Sequence, residues 1–293
     1  MTRIIDSLSE IGAQYDVLYC DLWGCLHDGL ALYPAAVTAL QGFRRQGGAV
    51  VLMTNAPRTH HAVARRLDRM GLPRDAFDVI VSSGDATQEA MLSGAAGQRV
   101  WHLGPEKDDD LFTEIPAWLA DHAPVERVAF EQAEGIVCTG PFDDYADRPE
   151  DYRPRFLAAK TRGLPMLCAN PDLLVDVGET RIHCAGALAA LYTEMGGTVM
   201  AFGKPHPPIY DMARRRLAEH GINHDNDAIL AVGDGILTDI AGAQGEGIDA
   251  LFVTGGLEAA RFGSDPEHPQ APLLDEWLAS QDRSPRFAIG RLR

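Results

Sequence analysis

Apolar runs that end in polar turns alternate with helical stretches along both ends of the chain. The apolar runs lie at 16–20, 49–54, 78–83, 197–202, 228–233 and 249–254. Helical patterns follow or separate them at 34–46, 60–70, 209–220 and 236–245. Strands that alternate with helices of this length are typical of βαβ units. The pattern therefore predicts an α/β protein with a doubly wound parallel sheet, whose ligands lie outside the carboxyl ends of the strands.

The middle of the chain has three apolar runs of its own, at 99–104, 135–140 and 164–172. We interpret them as a second α/β unit that is inserted into the first as a cap. The predicted division is 1–85 for the first part of the core, 86–180 for the cap and 181–293 for the second part of the core. The basic segment 280–293 is predicted to be peripheral.

Composition and charge narrow the possible partners. The formal net charge is −16, which argues against nucleic acid or an anionic membrane as a partner. No apolar run approaches the roughly 18 residues of a membrane-spanning helix, and residues 1–16 lack the apolar region of a signal peptide. We therefore expect a cytoplasmic protein. The five cysteines include no CxxC pair, so we expect buried free thiols.

Polar residues that carry chemistry follow several of the predicted strands. They are Asp21, Thr54, Asn55, Lys204, Asp234 and Asp239. Each is weak evidence by itself, because an Asp or Thr after a strand is often a helix cap and a single Lys is usually solvated. In a parallel sheet, however, the carboxyl ends of the strands meet at one edge. The set therefore predicts one site.

The chemistry of such a site is coherent. A carboxylate such as Asp21 can attack phosphorus and form an aspartyl-phosphate, which divides hydrolysis into two easier steps. Two anions then approach each other, so a divalent cation is needed, and Asp21 and Asp234 are hard oxygen ligands that suit Mg²⁺. Lys204 and the Thr54 hydroxyl would hold the phosphoryl oxygens. The substrate would then be a small phosphorylated metabolite.

Four segments resemble the motifs of the haloacid dehalogenase superfamily, in the order of that family. DLWGCLHDG resembles its first motif, DxDGxL, and LMTNAP resembles the second, a strand that ends in Thr or Ser. FGKPHPPIYDMA resembles the third, with its Lys, and VGDGILTDIAGAQGEGI resembles the fourth, GDxxxxD. The insertion between the second and third motifs, with the SSGD and ANPD segments, resembles the class IIA branch. That branch includes phosphatases of nucleotides, sugar phosphates and pyridoxal phosphate.

The resemblance implies a role for each matching residue. It makes Asp21 the nucleophile and a metal ligand, with Asp234 and the backbone carbonyl of Trp23 as further ligands. Asp239 would support the metal through water or loop contacts. Thr54 and Lys204 would bind the phosphoryl group, and Asn55 would shape and complete that phosphate-binding loop. Mg²⁺ is the implied cofactor, and a homodimer is expected because caps of this kind often mediate dimers.

The first motif departs from the family pattern at Trp23. The family places a second Asp there as general acid and base, whereas an indole N–H is a donor only. The backbone ligand survives the change, and the acid–base function does not. His27 and Asp28 are close in sequence, but the same pair accompanies the usual Asp elsewhere in the family. The sequence therefore predicts a phosphatase impaired by the loss of its general acid.

Two other functions stay open. Dehalogenases of this superfamily carry an aromatic residue at the position of Trp23, in DxYGTL, but they lack the acidic loop that contains Asp234. A non-catalytic protein that binds a phosphorylated ligand is the other alternative. Asn170 and Asp172 follow a strand of the predicted cap, where they either face the substrate or cap a helix.

Overall fold

The computed structural model describes residues 2–293. Its strands are β1 (Arg3–Ile4), β2 (Val17–Cys20), β3 (Ala49–Thr54), β4 (Val79–Ser82), β5 (Arg99–Leu103), β6 (Glu126–Arg127), β7 (Gly135–Cys138), β8 (Met166–Cys168), β9 (Leu174–Val177), β10 (Thr180–His183), β11 (Val199–Ala201), β12 (Ile229–Gly233), β13 (Asp249–Val253) and β14 (Phe287–Ile289). Its α-helices are α1 (Pro34–Arg45), α2 (His60–Arg69), α3 (Ser83–Leu92), α4 (Asp110–Thr113), α5 (Arg153–Thr161), α6 (Ala185–Glu194), α7 (Pro207–Glu219), α8 (Ala241–Glu246) and α9 (Ala271–Ser280). A π-helical turn, Ile236–Ile240, precedes α8.

The main sheet has the strand order β1-β14-β13-β12-β2-β3-β4, and every neighbouring pair in it is parallel. Its central strands are buried along their whole length, as expected when helices cover both faces of a parallel sheet. The predicted α/β fold with a doubly wound parallel sheet is confirmed. The carboxyl ends of β2 and β12 are adjacent because Cys20 is paired with Val232.

Alternate residues of the same strands build two separate hydrophobic cores. On one face Leu18 and Leu52 pack with α1 and α2. On the other face Tyr19 and Met53 pack with α7 and α9. Burial on both faces makes the positions at the strand ends rigid, since closely packed side chains leave no room for the strands to shift.

A second sheet has the order β11-β8-β7-β5-β6 and is also parallel throughout. It contains the three apolar runs of the middle of the chain. It also contains β11, whose sequence pattern had suggested a strand of the core, and α6 packs in its hydrophobic core. The second sheet therefore extends past the predicted limit at residue 180. Hydrophobic periodicity identifies a strand but not the sheet to which it belongs, so the pairing of β11 with β8 could not be predicted from the pattern.

The C-terminal segment is not peripheral, in contrast to the prediction. Its strand β14 lies between β1 and β13 in the main sheet, and Phe287, Ala288 and Ile289 are buried. The basic residues around the strand obscured a three-residue apolar run, FAI. The antiparallel hairpin β9–β10 was likewise not predicted.

All five cysteines are free and buried, as predicted. In the described part of the chain, residues 2–293, no helix has the length and apolar character needed to cross a bilayer.

Candidate active site at the carboxyl edge of the main sheet

The Lys204 ammonium lies between two carboxylates. Its Nζ is 2.6 Å from Asp21 Oδ1, 2.7 Å from Asp239 Oδ1 and 3.1 Å from the carbonyl oxygen of Met53. All three charged side chains are less than 10% exposed. Asp21 follows β2, and Asp239 lies in the π-helical turn that follows β12. Two strand ends and the segment after β11 therefore meet at one buried ion cluster.

The loop that carries Lys204 is fixed through its backbone. Asn55 Oδ1 accepts a hydrogen bond from Lys204 N at 2.8 Å, and Asn55 Nδ2 donates to Lys204 O at 3.0 Å. The same Nδ2 donates to Asp172 Oδ1 at 2.9 Å. Asn55 thus connects the end of β3 both to Lys204 and to the loop after β8 of the second sheet.

Asp234 is held on the other side of Asp21. Its Oδ2 accepts a hydrogen bond from Leu257 N at 2.8 Å. A Cβ at either Gly24 or Gly256 would lie 2.0 Å from that oxygen, so the Asp234 carboxylate is in contact with two glycine backbones. Gly24 also has φ +71°, a conformation that glycine adopts without strain. Glycine at these two positions is therefore needed for the carboxylate to fit.

The donor set at this point suits a hard divalent cation. One ligand atom from each of Asp21, Asp234 and Cys25 lies within 4.8 Å of the other two. The two carboxylates provide the hard oxygens that Mg²⁺ prefers, whereas burial and the nearby Asp234 carboxylate keep the pKa of the Cys25 thiol well above its usual range. Cys25 therefore stays a neutral thiol, and the oxygens would hold the ion.

The electrostatics of the cluster also favour a bound cation. Burial raises the pKa of Asp21 to about 7, and the Asp239 charge adds to the rise although Lys204 opposes it. Burial and the Asp21 charge raise the pKa of Asp234 well above its usual range. Burial lowers the pKa of Lys204, but the surrounding carboxylates outweigh this effect and raise it. One ammonium thus faces more negative charge than it can balance, and a divalent ion would offset the difference.

A cavity of about 560 Å³ opens onto this cluster. Asp21, Lys204 and Asp234 lie in its wall. The wall also includes Asp172 and the first strand of the hairpin β9–β10. The hairpin contacts the main unit, because Gly178 N donates to Asp28 O at 3.1 Å and Arg181 Nη2 donates to Leu257 O at 3.1 Å. The cavity therefore lies between the carboxyl edge of the main sheet and the segment 171–178, which contains the loop after β8 and the first strand of the hairpin.

Trp23 forms part of the cavity wall and has a well-defined packing environment. The Arg66 guanidinium carbon lies 4.9 Å from the centre of its ring, and the His27 ring meets it edge-on at 5.0 Å. A Cβ at Gly29 would lie 2.3 Å from the indole, so the ring lies against the Gly29 backbone. Arg66, His27 and the Gly29 backbone therefore hold the indole, at the sequence position where the family resemblance implies a general acid.

Neither neighbour of Trp23 in sequence is suited to replace that acid. His27 is buried outside the cavity wall, its Nδ1 accepts from Gly29 N at 3.0 Å, and burial lowers its pKa to about 4. Asp28 lies in the wall, but its Oδ1 accepts from the N–H groups of Ala31 and Leu30. These bonds lower the pKa of Asp28, so it is ionised at neutral pH.

Two other predicted residues, Thr54 and Asn170, are not part of the cavity wall. Thr54 is buried, and its Oγ1 accepts from Ala56 N at 3.1 Å. Asn170 accepts from Asp172 N at 3.0 Å. The helix-capping alternative for Asn170 and Asp172 is wrong, because the next helix, α6, has Cys184 at its N-cap.

The residues of the cavity wall that were not identified from the sequence include Tyr33, His206 and Arg291. His206 follows Lys204 by two positions, which was an available signal. Arg291 lies two residues beyond the end of β14, and its place in the wall depends on a strand that the sequence pattern did not reveal.

Comparisons with known proteins agree with this geometry. A family model described as haloacid dehalogenase-like hydrolase matches residues 18–115, and a second, HAD-hydrolase-like, matches residues 201–277. A solved hydrolase of the haloacid dehalogenase-like family from Brucella suis is 35% identical, with a TM-score of 0.85. The alignment covers 99% of this chain and all of that one.

Phosphatases are among the other similar proteins. D-glycerol 3-phosphate phosphatase of Mycobacterium tuberculosis is 29% identical over 260 residues, which are 86% of this chain and 67% of the relative. A crystal structure of glycerol phosphate phosphatase from the same organism in complex with magnesium is 25% identical, with a TM-score of 0.60. That alignment covers 87% of this chain and 73% of the relative.

Proposed function

Because the chain belongs to the haloacid dehalogenase-like hydrolases, we propose that it is a Mg²⁺-dependent phosphatase of small phosphate monoesters. The observation that carries this proposal is the buried cluster in which Lys204 contacts both Asp21 and Asp239 beside Asp234. The similarity to a phosphatase from Mycobacterium tuberculosis supports the reaction class. It does not identify the substrate.

In this proposal Asp21 is the nucleophile. An Asp21 oxygen attacks phosphorus and the leaving-group oxygen departs, which produces an aspartyl-phosphate; water then attacks that phosphorus and releases Asp21. Lys204 would neutralise part of the phosphoryl charge, and its ammonium is already held 2.6 Å from the attacking side chain. The Thr54 hydroxyl would take part only after a change in the loop, since it is buried and bonded to Ala56 N.

The ion would be held by Asp21, by Asp234 and by the backbone carbonyl of Trp23. Bound there, Mg²⁺ supplies charge neutralisation and orientation for the phosphoryl oxygens. Asp239 contacts the same region indirectly, because its Oδ2 accepts from Gly235 N at 3.1 Å while its Oδ1 accepts from Lys204. The magnesium complex of the glycerol phosphate phosphatase supports this assignment.

We propose that the unit with the five-stranded sheet acts as a cap of the class IIA type. Its chain runs from β5 to β11, so it exceeds the interval 86–180. The loop with Asp172 and the first strand of the hairpin β9–β10 line the same cavity as Asp21. Specificity for the leaving group would come from this wall, and its closure would exclude water from the reacting atoms.

Trp23 distinguishes this site from that of an ordinary phosphatase. Without a general acid, leaving groups that are stable as anions should be hydrolysed much faster than alkoxides. The same residue favours the second candidate function, a phospho-ligand binder without turnover. The dehalogenase alternative is weaker, because the acidic cluster at Asp234 is complete.

The test is hydrolysis of 4-nitrophenyl phosphate with Mg²⁺ and with a chelator. The phosphatase proposal expects turnover that requires the ion and is lost in Asp21→Asn. Binding of the ester without release of nitrophenolate would favour the binder. Release of chloride from a chloroacid, independent of the ion, would favour the dehalogenase.

A further inference from the structure

The C-terminal segment adds a cationic side chain to the cavity. After β14 the chain turns along the carboxyl edge of the main sheet, and Arg291 enters the cavity wall. Leu292 is 1% exposed, and Arg293 is bonded to Asp6 O and ion-paired with Glu267. The residues after Arg291 therefore anchor the segment.

Arg291 is close to the proposed metal ligand. A Cβ at Gly255 would lie 2.8 Å from Arg291 Cγ, and a Cβ at the next residue, Gly256, would lie 2.0 Å from Asp234 Oδ2. Two consecutive glycines thus separate the stem of the arginine from the Asp234 carboxylate. On its other side the Arg291 guanidinium carbon lies 5.1 Å from the centre of the Tyr33 ring, which also belongs to the wall.

Within residues 2–293 the Arg291 guanidinium makes no direct hydrogen bond, although it forms a long ion pair with Glu267. In the described residues 2–293, its Nε is buried without a hydrogen-bond partner. Glu267 Oε1 lies 3.6 Å from this Nε, which is an ion-pair distance longer than a hydrogen bond, and Glu267 Oε2 pairs with Arg293. Lys204 is the other Lys or Arg residue in the described cavity wall. Its ammonium, in contrast, is bonded to two carboxylates.

The rest of the wall would repel a second negative charge. It contains seven acidic residues: Asp21, Asp28, Asp172, Asp176, Asp234, Asp239 and Glu258. A bound cation and Lys204 would serve the transferring phosphoryl group. An additional anion on the leaving group would therefore be accepted only beside a cation that is not already hydrogen-bonded to a carboxylate. Arginine matches a carboxylate or phosphate in a bidentate manner.

We infer that Arg291 binds a second anionic group on the leaving-group side of the substrate, so that the substrate class is a phosphate monoester with a further carboxylate or phosphate. The inference rests on the proposed phosphatase function, which it makes more specific. Tyr33 supports the guanidinium from one face, and the Gly255 backbone supports its stem.

The test compares two esters that differ at one carbon: glycerol 3-phosphate and 3-phosphoglycerate, in which a carboxylate replaces the hydroxymethyl group. Their binding to the Mg²⁺-loaded protein is measured by calorimetry for wild type, Arg291→Gln and Arg291→Lys. We expect wild type to prefer the carboxylate, and Arg291→Gln to lose about tenfold to a hundredfold of that preference. Arg291→Lys should retain part of it, because the charge remains but the bidentate geometry does not.

Arg286→Gln is the matched control. Arg286 belongs to the same C-terminal segment and its loss removes the same charge, but it pairs with Asp249 on the outside of the main sheet. Arg286→Gln should leave the preference for 3-phosphoglycerate over glycerol 3-phosphate unchanged. Equal weakening of both esters in Arg291→Gln, or no weakening of either, would overturn the inference. Turnover of 4-nitrophenyl phosphate in wild type is measured separately, so a failure of the phosphatase proposal is recognised independently of the binding result.

Discussion

Asn55 binds the backbone of Lys204 on both sides of its Cα: Asn55 Oδ1 accepts from the N–H at 2.8 Å, and Asn55 Nδ2 donates to the carbonyl at 3.0 Å. The two residues are 149 positions apart in sequence and both are buried. An amide side chain at this position therefore fixes the ammonium of Lys204 relative to Asp21 without contacting either side chain.

Asn55→Ala should lower kcat strongly and stability moderately. The substitution leaves buried backbone groups of Lys204 without partners, at a cost of about 1–3 kcal/mol. A displaced ammonium should lower kcat by about 10²-fold. Asn226→Ala is the control, since Asn226 also donates to a backbone carbonyl, that of Glu246, away from the cavity. Thermal unfolding and turnover of 4-nitrophenyl phosphate measure the two effects; a loss of stability with unchanged kcat would contradict the positioning role.

Asp234→Ala should weaken Mg²⁺ binding by at least about tenfold, because it removes a carboxylate that lies within 4.8 Å of the Asp21 carboxylate. The measurement is calorimetric titration of the ion in the absence of substrate. Asp176→Asn is the matched control, since Asp176 lies in the same wall but pairs with Arg181 of the hairpin. Equal affinities in Asp234→Ala and wild type would remove Asp234 from the ligand set.

The part of the site that the sequence predicted is the part that follows directly from strand ends. Asp21 and Asp234 come immediately after buried strands, so the rule that carboxyl ends meet at one edge brings them together. The partners of these residues could not be predicted in this way. That Asn55 would bind backbone rather than phosphate depends on loop conformations, which apolar periodicity does not encode.

Residues from distant or short elements were the ones missed. Arg291 reaches the cavity only because β14, a strand of three residues, lies between β1 and β13. The strands of the β9–β10 hairpin are only partly buried and show no strong alternation of apolar and polar residues. Their sequence pattern therefore could not be distinguished from that of a loop. The strand β11 was recognised, but sheet membership depends on its pairing with β8, a property of tertiary structure.

Arg181→Ala should raise KM with little effect on stability. Arg181 pairs with Asp176 and donates to the Leu257 carbonyl, which connects the hairpin to the residue whose N–H holds Asp234. An exposed ion pair contributes about 0.2–1 kcal/mol to stability, so the melting temperature should change only slightly. Looser closure of the hairpin should raise KM severalfold. Arg215→Ala removes a comparable surface pair with Glu89, and should leave KM unchanged. Identical kinetics in the two variants would argue against a role for the hairpin in substrate binding.

Asp108 should make stability fall as pH rises. Burial raises its pKa to about 7 although Lys107 and Arg58 oppose the rise, and its Oδ1 has no hydrogen-bond partner in the described part of the chain. The pKa of Asp108 is higher in the folded protein than in the unfolded chain. Its contribution to stability is therefore fully present below about pH 4 and is lost as pH rises through about 7.

The measurement is the difference in unfolding free energy between wild type and Asp108→Asn as a function of pH. The unfolding free energy of Asp108→Asn relative to that of wild type should rise by on the order of 3–4 kcal/mol between pH 4 and pH 8. The reason is that the amide has no charge to bury. Asp109→Asn, at an exposed neighbour that pairs with Arg127, should show no such trend. Parallel pH curves for wild type and Asp108→Asn would show that the Asp108 carboxyl is ionised without penalty.

Trp23 should make turnover depend steeply on the leaving group. A general acid contributes about 10²–10⁴ in rate, mostly for alkoxides that leave badly without a proton, and the indole cannot supply one. We therefore expect kcat/KM for 4-nitrophenyl phosphate to exceed that for an alkyl phosphate by at least about 10², and the phospho-enzyme to be long-lived.

Trp23→Phe keeps an aromatic ring and should keep this ratio of the two kcat/KM values. Trp23→Asp should reduce it if the cavity left beside Arg66 and Gly29 does not disturb the loop, which thermal unfolding reports. Fast hydrolysis of the alkyl ester by wild type would show that another group donates the proton. His206 would then be the first side chain to substitute, because it lies in the same wall two residues from Lys204.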